Sequence, residues 1–383
     1  MKLCFITTVS MTLEAFVREQ AKAIHEKHPD WQIYFICDND EKFGNSLEDY
    51  IKFIPVSMSR GIDLGAAKSV FALKKLFKRE KFDMIVYATP NASLYSSLAG
   101  KMAGIKKRLY CQWGIRYVGF SGIKHKIFKF LEKLTCKNST LVNAVSYKNR
   151  QFSIDENLYT SEKATVVGNG GTVGVDLTLY DIGKYDTYRA EKRKELGLKD
   201  EFVYGFVGRL GRDKGAFELL SAFRDISEIR SDVKLLCIGS TEMGANDIPS
   251  ELKAWAQTNE NVVFIGNKPK EEVVKYYAAM DVYVHPSYRE GFGMVLQEAG
   301  AMKCPIITTD IPGAGEVLVN GQSCLLCNVK DADSLTECME KLINDKDYCQ
   351  KLGINARKYV EEKYERNSMV ENHVKRYEEI LGV

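Results

Sequence analysis

The chain has 383 residues, of which 45% are apolar and 27% charged, and its formal net charge is +3. This length exceeds one comfortable hydrophobic core and favours two domains, and the composition is typical of a globular protein rather than a disordered or fibrous one. The sequence contains no run of about 18 apolar residues, the length that a helix needs to span a bilayer. Its ten scattered cysteines favour a reducing compartment over a disulfide framework.

The charge is unevenly distributed along the chain. Residues 1–150 hold 25 Lys and Arg against 13 Asp and Glu, and residues 51–150 alone hold 20 against 4, so the remainder of the chain is acidic. A basic half of this kind indicates an anionic partner, such as nucleic acid, an anionic membrane or a phosphate-bearing substrate.

The first half alternates short apolar runs with amphipathic helical stretches. Its opening, MKLCFITTVS, predicts a first strand rather than a secretory signal. The predicted strands are KLCFITTV, QIYFICD, IKFIPVSM, FDMIVYAT, KRLYCQWG, TLVNAVS and KATVVGN, and the clearest helices are TLEAFVREQAKAIHEKH, LGAAKSVFALKKLFKREK and IKHKIFKFLEKLTCK. Continuous apolar strands separated by helices predict a parallel sheet covered on both faces.

The segment at 122–138, inside this basic half, predicts an amphipathic helix. Its apolar residues lie near one face, while lysines surround them, including Lys124, Lys126, Lys129 and Lys133. Such a helix can lie on an anionic leaflet. The alternative is an ordinary sheet-covering helix with a lysine-rich outer face.

The alternation then repeats in the second half, with FVYGFVGR, VKLLCIGS, NVVFIGN, DVYVHPS, PIITTD and CLLCNV as predicted strands. A Gly-rich and charged stretch without strand signal marks the domain boundary near residues 170–190, and we place the domains at 1–180 and 181–365. The pattern therefore predicts two Rossmann-like, doubly wound parallel-sheet domains facing a central cleft, with ligands bound beyond the carboxyl ends of the strands.

The loop of GFVGRLGRDKG, residues 205–215, joins a predicted strand to a predicted helix. Such a loop presents backbone amides and a positive helix end to an anion, and Arg209 and Lys214 add two cations. Lys214 is followed by Gly rather than Ser or Thr, so this is not the phosphate loop of the NTPases. The alternative is two solvated basic residues.

The segment SYREGFGMVLQEAGA, residues 287–301, contains two glutamates. Glu290 is predicted on a loop and Glu298 within the following helix, a separation that suits two tasks along one extended ligand. The amides of residues 292–295 form the predicted helix start, and carboxylates are natural acceptors for sugar hydroxyls. The alternative is a capped helix start followed by a surface glutamate.

These two motifs together resemble the retaining glycosyltransferases of family 4. G-R-L-x-x-x-K-G at 208–215 and E-G-F-G-x-x-x-x-E at 290–298 match the pattern of these enzymes, which have the two-Rossmann-domain, metal-independent B fold. The subgroup that the chain most resembles builds capsule, O-antigen and exopolysaccharide repeat units.

The resemblance implies a role for each matched position. Arg209 and Lys214 would hold the diphosphate of a nucleotide-sugar, Glu290 would contact the transferred sugar, and Glu298 would bind the ribose. The remaining donor-binding positions would be Gly208, Gly266, Asn267, Phe292, Gly293, Met294 and Val295. It also implies that a final helix, 366–383, returns to the first domain, and that neither a metal nor another cofactor is needed.

The sequence departs from these relatives at the expected acceptor side. Trp113 stands where many of them have a histidine, so Trp113 is expected to stack on a sugar or to pack, and Arg116 to meet an acceptor phosphate. We expect a UDP-sugar donor, a polyprenyl-pyrophosphate-linked saccharide acceptor, and a cytoplasmic enzyme held peripherally on the inner face of the membrane.

Two other functions remain open at this stage. A glycoside hydrolase or phosphorylase would use Glu290 and Glu298 as acid and nucleophile, which requires two carboxyl groups about 5–9.5 Å apart across a sugar. A nucleic-acid-binding protein would use the basic half, although no recognised nucleic-acid motif is present and we expect no such partner.

Overall fold

The computed structural model describes residues 1–58, 64–241 and 248–383. The chain divides into two compact units, Met1–Val173 with Asn367–Val383, and Gly174–Arg366. The second unit begins before residue 180, the limit expected from sequence, because Tyr180 is buried there and its carbonyl accepts a 2.9 Å hydrogen bond from Arg357.

A parallel sheet of seven described strands organises the first unit, in the order β3-β2-β1-β4-β5-β6-β7. The strands are β1 Lys2–Ile6, β2 Gln32–Cys37, β3 Ile51–Pro55, β4 Met84–Tyr87, β5 Lys107–Gln112, β6 Leu141–Ala144 and β7 Ala164–Val166. The helices are α1 Ser10–Phe16, α2 Arg18–Lys27, α3 Glu41–Gly44, α4 Leu64–Glu80, α5 Pro90–Ala103, α6 Gly122–Asn138 and α7 Tyr147–Asp155.

Helices cover both faces of this sheet, which explains why its strands are apolar without alternation. On β1, Cys4 and Ile6 point into a core shared with α4, α5 and α6. Leu3 and Phe5 point into the opposite core, shared with α1, α2 and α3.

The second unit repeats this plan with a parallel sheet of six described strands, in the order β10-β9-β8-β11-β12-β13. The strands are β8 Phe202–Val207, β9 Val233–Ile238, β10 Val262–Gly266, β11 Val282–His285, β12 Ile306–Thr309 and β13 Leu325–Cys327. The helices are α8 Tyr185–Glu195, α9 Ala216–Ile229, α10 Ser250–Thr258, α11 Lys270–Ala279, α12 Met294–Ala301, α13 Ala332–Asn344 and α14 Lys346–Tyr364. The two doubly wound sheets predicted from sequence are confirmed.

The last helix, α15 Arg366–Leu381, packs into the core of the first unit. Val370, Val374 and Leu381 are buried against α1, α2 and the sheet, and the Tyr377 hydroxyl donates a 2.6 Å hydrogen bond to the Gln20 side chain. The chain thus returns to the first unit after completing the second.

Candidate active site

The matched motifs follow two neighbouring strands of the second sheet. β8 and β11 lie side by side, and from them the strand order runs outward in opposite directions, through β9 and β10 on one side and β12 and β13 on the other. This reversal is a topological switch point, the place where open α/β sheets bind ligands beyond their carboxyl ends. The loop 208–215 leaves β8 there, and the loop 286–293 leaves β11.

Gly215 allows these two loops to come into contact. Its φ of +73° is in the left-handed region, and a Cβ atom at this position would lie 2.0 Å from the carbonyl oxygen of Pro286. Tyr288 N donates to the Asp213 carbonyl at 3.0 Å, which joins the loops again. Any side chain at residue 215 would therefore separate them.

Arg209 and Asp213 form an ion pair on the loop after β8, and Arg289 from the other loop approaches the same carboxylate at 3.3 Å. Burial favours a raised pKa for Asp213, but Arg209 and Arg289 outweigh it and hold the pKa below its usual value. The Arg209 side chain is 48% exposed, so its guanidinium is accessible to an anion from solvent.

Glu290 is held by two donors on a single carboxylate oxygen. Its Oε1 accepts from Lys214 Nζ at 2.5 Å and lies 2.8 Å from Nε2 of His285. The other ring nitrogen of His285, Nδ1, lies 3.1 Å from the hydroxyl of Tyr283. A chain of polar contacts thus connects the strand β11 to the loop that follows it.

These contacts keep the Glu290 carboxylate ionised. Burial would raise its pKa, but the hydrogen bond from His285 and the charge of Lys214 lower the pKa to about 2. An acid of this strength does not donate a proton near neutral pH, so Glu290 is unsuited to serve as the general acid of a glycoside hydrolase.

Glu298, on α12, is 9% exposed and has different partners. Its Oε1 lies 3.1 Å from Lys270 Nζ, and its Oε2 accepts from the Tyr277 hydroxyl at 3.4 Å. Tyr180 is buried beside it, and burial together with the charge of Glu298 raises the pKa of Tyr180. The two glutamates therefore belong to separate polar clusters.

The helix α12 starts at Met294, one residue after the Gly-Phe-Gly segment. The Gly293 amide, one of the four assigned to the predicted helix start, already has a partner, because it donates to the Gly313 carbonyl at 2.8 Å. Phe292 is buried against Tyr364, with the ring centroids 5.6 Å apart. Val295 is the second residue of α12, so its amide belongs to the first turn of that helix.

The remaining donor-side positions lie at the carboxyl ends of β8 and β10. Gly208 directly follows β8, with a φ of +144°, and its amide donates to the Ile238 carbonyl at 2.8 Å. Gly266 ends β10, its carbonyl accepts from the Gly239 amide at 2.9 Å, and the side chain of Asn267 is exposed. These three residues share one edge of the sheet with the two loops.

The expected acceptor residues lie in the first unit. Trp113 follows β5 and is half-buried, with its ring centroid 5.1 Å from that of Phe16. Arg116 opens a 3₁₀ turn, Arg116–Gly119, and its guanidinium lies 4.3 Å from the ring centroid of Phe128.

The four expected membrane-facing lysines are all on α6, but they differ in their surroundings. Lys124, Lys126 and Lys133 are exposed. Lys129 forms a 2.6 Å ion pair with Glu156, so its charge is locally compensated. The apolar side chains of Ile123, Ile127 and Phe130 point outward on the same helix, with exposed fractions of 77%, 43% and 64%.

The sequence offers no functional reason to single out His285. The available signal was its position as the last residue of β11, next to the loop that bears Glu290. Asp38 and Asp40, whose spacing resembles a metal site, instead serve the local chain: Asp40 caps α3 through the Phe43 amide and accepts from Ser10 at 2.5 Å.

The ranges that the structure describes contain neither a cluster of metal-ligating side chains nor a membrane-spanning helix. No group of three or more His, Cys, Asp or Glu side chains there could hold a metal ion. No helix there is long and apolar enough to cross a membrane.

Comparison with known protein families gives two matches that together span most of the chain. Residues 188–359 match the family model described as glycosyl transferases group 1, and residues 2–146 match the model described as glycosyl transferase 4-like. The capsular polysaccharide biosynthesis glycosyltransferase CapM of Staphylococcus aureus is 32% identical, over 95% of this chain and 93% of its own length.

A second relative is the Escherichia coli UDP-Gal:α-D-GlcNAc-diphosphoundecaprenol α-1,3-galactosyltransferase, 26% identical over 82% of this chain and 81% of its own length. Among solved structures, sucrose-phosphate synthase of Thermosynechococcus elongatus matches with a TM-score of 0.79 at 20% identity, and each chain is covered completely. Anabaena HepE, solved with UDP and glucose, matches with a TM-score of 0.75 at 19% identity over 98% of this chain and 99% of its own. These structures share the B fold of glycosyltransferases with this chain.

Proposed function

The chain belongs to the group 1, family 4-like glycosyltransferases, and we propose that it transfers a sugar from a UDP-sugar to a polyprenyl-pyrophosphate-linked saccharide, with retention of configuration, in surface polysaccharide assembly. The name of the S. aureus relative supports the assignment to capsule synthesis. The name of the E. coli relative supports both a UDP donor and a diphosphoundecaprenol-linked acceptor.

The observation that supports this proposal most directly is the cluster of Arg209, Lys214 and Glu290 at the switch point of the second sheet. Two cations on one strand-to-helix loop suit the two phosphates of a nucleoside diphosphate. Glu290 accepts from Lys214 and His285 through Oε1, and we propose that it contacts the transferred sugar. The second domain is then the donor-binding domain.

The other donor contacts follow from the positions around this cluster. We assign the ribose hydroxyls to Glu298 and the base to the β10 end, at Gly266 and Asn267. The Gly208 segment and the amides of Phe292, Met294 and Val295 would surround the phosphates and the sugar. Gly293 would act through its close backbone approach, since its amide donates to Gly313.

In the proposed reaction, the acceptor hydroxyl attacks the anomeric carbon on the face from which the diphosphate departs. The bond between this carbon and the phosphate oxygen breaks, the new glycosidic bond forms, and the hydroxyl proton passes to a phosphate oxygen. Arg209 and Lys214 stabilise the negative charge that develops on the leaving diphosphate, so the proposed mechanism uses no metal ion.

We assign the acceptor to the first domain, with Trp113 near its saccharide and Arg116 near its pyrophosphate. The helices on one face of that sheet, α4, α5, α6 and α7, contain thirteen Lys and Arg against three Asp and Glu. The helices on the opposite face, α1, α2, α3 and α15, contain seven of each. This one-sided charge supports peripheral attachment to the anionic cytoplasmic face of a membrane, through Lys124, Lys126 and Lys133 in particular.

The two rival functions have weaker support. The low pKa of Glu290 disfavours a hydrolase that uses this residue as its proton donor, and Glu290 and Glu298 have separate side-chain partners rather than facing one another as a pair. A nucleic-acid partner would use the same basic face, but the exposed Ile123, Ile127 and Phe130 between its lysines favour a lipid surface.

The proposal is tested by incubating the protein with a panel of nucleotide-sugars and a polyprenyl-pyrophosphate-linked saccharide, and measuring both nucleoside diphosphate and extended saccharide. We expect one nucleoside diphosphate per sugar transferred. Arg209→Ala and Lys214→Ala should each reduce turnover by about 100-fold to 1,000-fold. Arg224→Ala, at a partly exposed position on α9 outside the loop, is the matched control.

Release of free sugar without any acceptor product would support the hydrolase instead. Near-normal turnover in both alanine variants would contradict the proposed diphosphate role.

A further inference from the structure

The first unit contains a cavity at the carboxyl edge of its sheet, and apart from Arg116 its lining has no role in the acceptor contacts assigned above. It has a volume of about 410 Å³, and it lies between the first turns of α5, the 3₁₀ turn Arg116–Gly119 and residues 124–135 of α6. This volume is within the range of sites for small molecules or parts of larger ligands. The cavity belongs entirely to the unit to which the acceptor is assigned.

The cavity walls are mainly apolar. Leu94 and Tyr95 line it from α5, and Ile127, Phe128 and Leu131 line it from α6, with Phe120 between them. A sugar bound in such a site would need several hydrogen-bonding partners for its hydroxyl groups. A hydrocarbon chain needs none, because its binding is driven by the removal of apolar surface from water.

Glu132 is the acidic residue that lines this cavity, and it does not make the site anionic. It is buried, and its Oε1 accepts from the Tyr110 hydroxyl at 2.9 Å and the Gln112 amide at 2.8 Å. Burial raises the pKa of Glu132 despite these two hydrogen bonds, and so favours the uncharged carboxyl. The lining therefore remains compatible with an apolar occupant.

Arg116 and Lys124 line the same cavity, and both are exposed to solvent. Within the described ranges neither forms an ion pair with a carboxylate. The Arg116 guanidinium is supported by the rings of Phe128 and Phe120, at 4.3 Å and 5.9 Å from their centroids. An apolar cavity with two uncompensated cations is complementary to a molecule that joins a hydrocarbon chain to phosphate.

The cavity is continuous with exposed apolar surface on α6. Ile127 lines the cavity and is 43% exposed, and Ile123 and Phe130, on the same helix, are exposed to solvent. A hydrocarbon chain leaving the cavity would therefore pass over apolar side chains rather than directly into water.

We propose that this cavity holds the phosphate-proximal part of the polyprenyl chain of the acceptor, while Arg116 and Lys124 bind its pyrophosphate. The inference rests on the proposed function and names the part of the acceptor that the enzyme recognises beside the saccharide. It accounts for selection of a lipid-linked acceptor by a direct contact, in addition to attachment of the protein to the membrane surface, to which Lys124 would also contribute.

The test compares two acceptors that carry the same saccharide and pyrophosphate, one on a long polyprenyl chain and one on a short alkyl chain, both in detergent solution. We expect the full-length protein to prefer the long-chain acceptor by about tenfold or more in kcat/KM, because burial of a few methylene groups accounts for such a factor. Detergent removes the membrane surface from the comparison.

Leu94→Trp fills the cavity from α5 and should reduce this preference toward unity. Met102→Trp is the matched control, since Met102 is an exposed apolar residue on the same helix outside the cavity, and it should keep the preference. Leu131→Trp fills the cavity from α6 and provides an independent variant. The thermal midpoint of each variant, measured in parallel, establishes that it is folded.

Equal kcat/KM values for the two acceptors in the wild-type protein would overturn the inference, as would an undiminished preference in folded Leu94→Trp and Leu131→Trp. An effect of these variants on vesicle binding alone would assign the cavity to bulk membrane lipid and overturn it too. Absence of transfer to either acceptor would instead contradict the proposed function itself.

Discussion

The position of the Glu290 carboxylate depends on His285, which lies five residues before it in the sequence. Its Oε1 is shared between Lys214 and His285, and His285 is in turn fixed by the Tyr283 hydroxyl. If Lys214 turns toward the phosphates of a nucleotide-sugar, as its proposed role requires, His285 is the partner that remains to hold the carboxylate in place. We therefore regard His285 as a positioning residue that acts through Glu290.

Replacement of His285 by Phe should lower kcat by up to about 100-fold, because a carboxylate misplaced by about 1 Å loses its alignment with the reacting sugar. KM for the donor should change much less, since Arg209 and Lys214 remain. Steady-state kinetics with a nucleotide-sugar measures both constants.

His285→Gln is the informative companion to this variant, because its side-chain amide can donate to Glu290 in place of Nε2. Partial recovery of kcat in His285→Gln is expected. If the Phe and Gln variants are equally impaired, or if both are fully active, His285 does not act through this hydrogen bond.

At the residue scale, the sequence predicts which residues belong to the candidate site better than it predicts which side chains they contact. Arg209, Lys214, Glu290 and Glu298 were selected from motif spacing, and the structure brings the first three to adjacent loops. The contacts of Lys214 with Glu290 and of Lys270 with Glu298 could not be predicted, because each joins side chains that are distant or unmarked in the sequence. His285 was missed for the same reason.

At the element scale, the hydrophobic periodicity of the sequence predicts the strands and most helices, but it does not predict where a helix breaks. One continuous helix was expected over TLEAFVREQAKAIHEKH, whereas the structure breaks it at Val17, which has φ of −126° between α1 and α2. The segment contains neither Gly nor Pro, so no local signal marks the break. Val17 itself is buried in the core.

The helix α15 provides a test of how the chain's last segment contributes to the first unit. Tyr377→Phe removes the hydroxyl that donates to the buried Gln20 side chain and should reduce the free energy of unfolding of that unit by about 1–2 kcal/mol. Amide hydrogen exchange in the strands of the first sheet would measure this locally, as is needed in a protein of two units.

Tyr147→Phe is a suitable control for this substitution, because Tyr147 is 60% exposed although its hydroxyl also donates a hydrogen bond, to the Gly168 carbonyl at 3.1 Å. Its effect should stay within about 0.5 kcal/mol. Unchanged exchange in Tyr377→Phe would mean that α15 is not energetically coupled to the first sheet.

For the whole molecule, the near-neutral net charge conceals a basic face on the first unit. Replacement of Lys124, Lys126 and Lys133 by Gln should weaken binding to anionic vesicles on the order of 100-fold, since each lysine near such a surface contributes about 1 kcal/mol. Sedimentation with vesicles that contain anionic lipid, at two salt concentrations, measures this effect.

The matched control replaces Lys22, Lys42 and Lys375, three exposed lysines on helices of the opposite face, and therefore changes the net charge equally. It should leave vesicle binding nearly unchanged. Equal losses in the two triple variants would show that the interaction depends on total charge rather than on the α6 face.

The architecture of the whole molecule was the most predictable feature, because two series of apolar strands separated by helices admit few arrangements. All thirteen described strands correspond to predicted runs. The cavity between α5 and α6 could not be foreseen, since it arises from the packing of side chains that look like ordinary core residues in the sequence.

The central claim, that Arg209 and Lys214 bind the diphosphate of the donor, is tested most directly by calorimetry with UDP and UMP. The wild-type protein should bind UDP more tightly than UMP, by about tenfold or more, because the second phosphate gains charge-assisted hydrogen bonds. In Arg209→Ala/Lys214→Ala this difference should largely disappear. Equal affinities for UDP and UMP in the wild-type protein, or an undiminished difference in the double variant, would contradict the account.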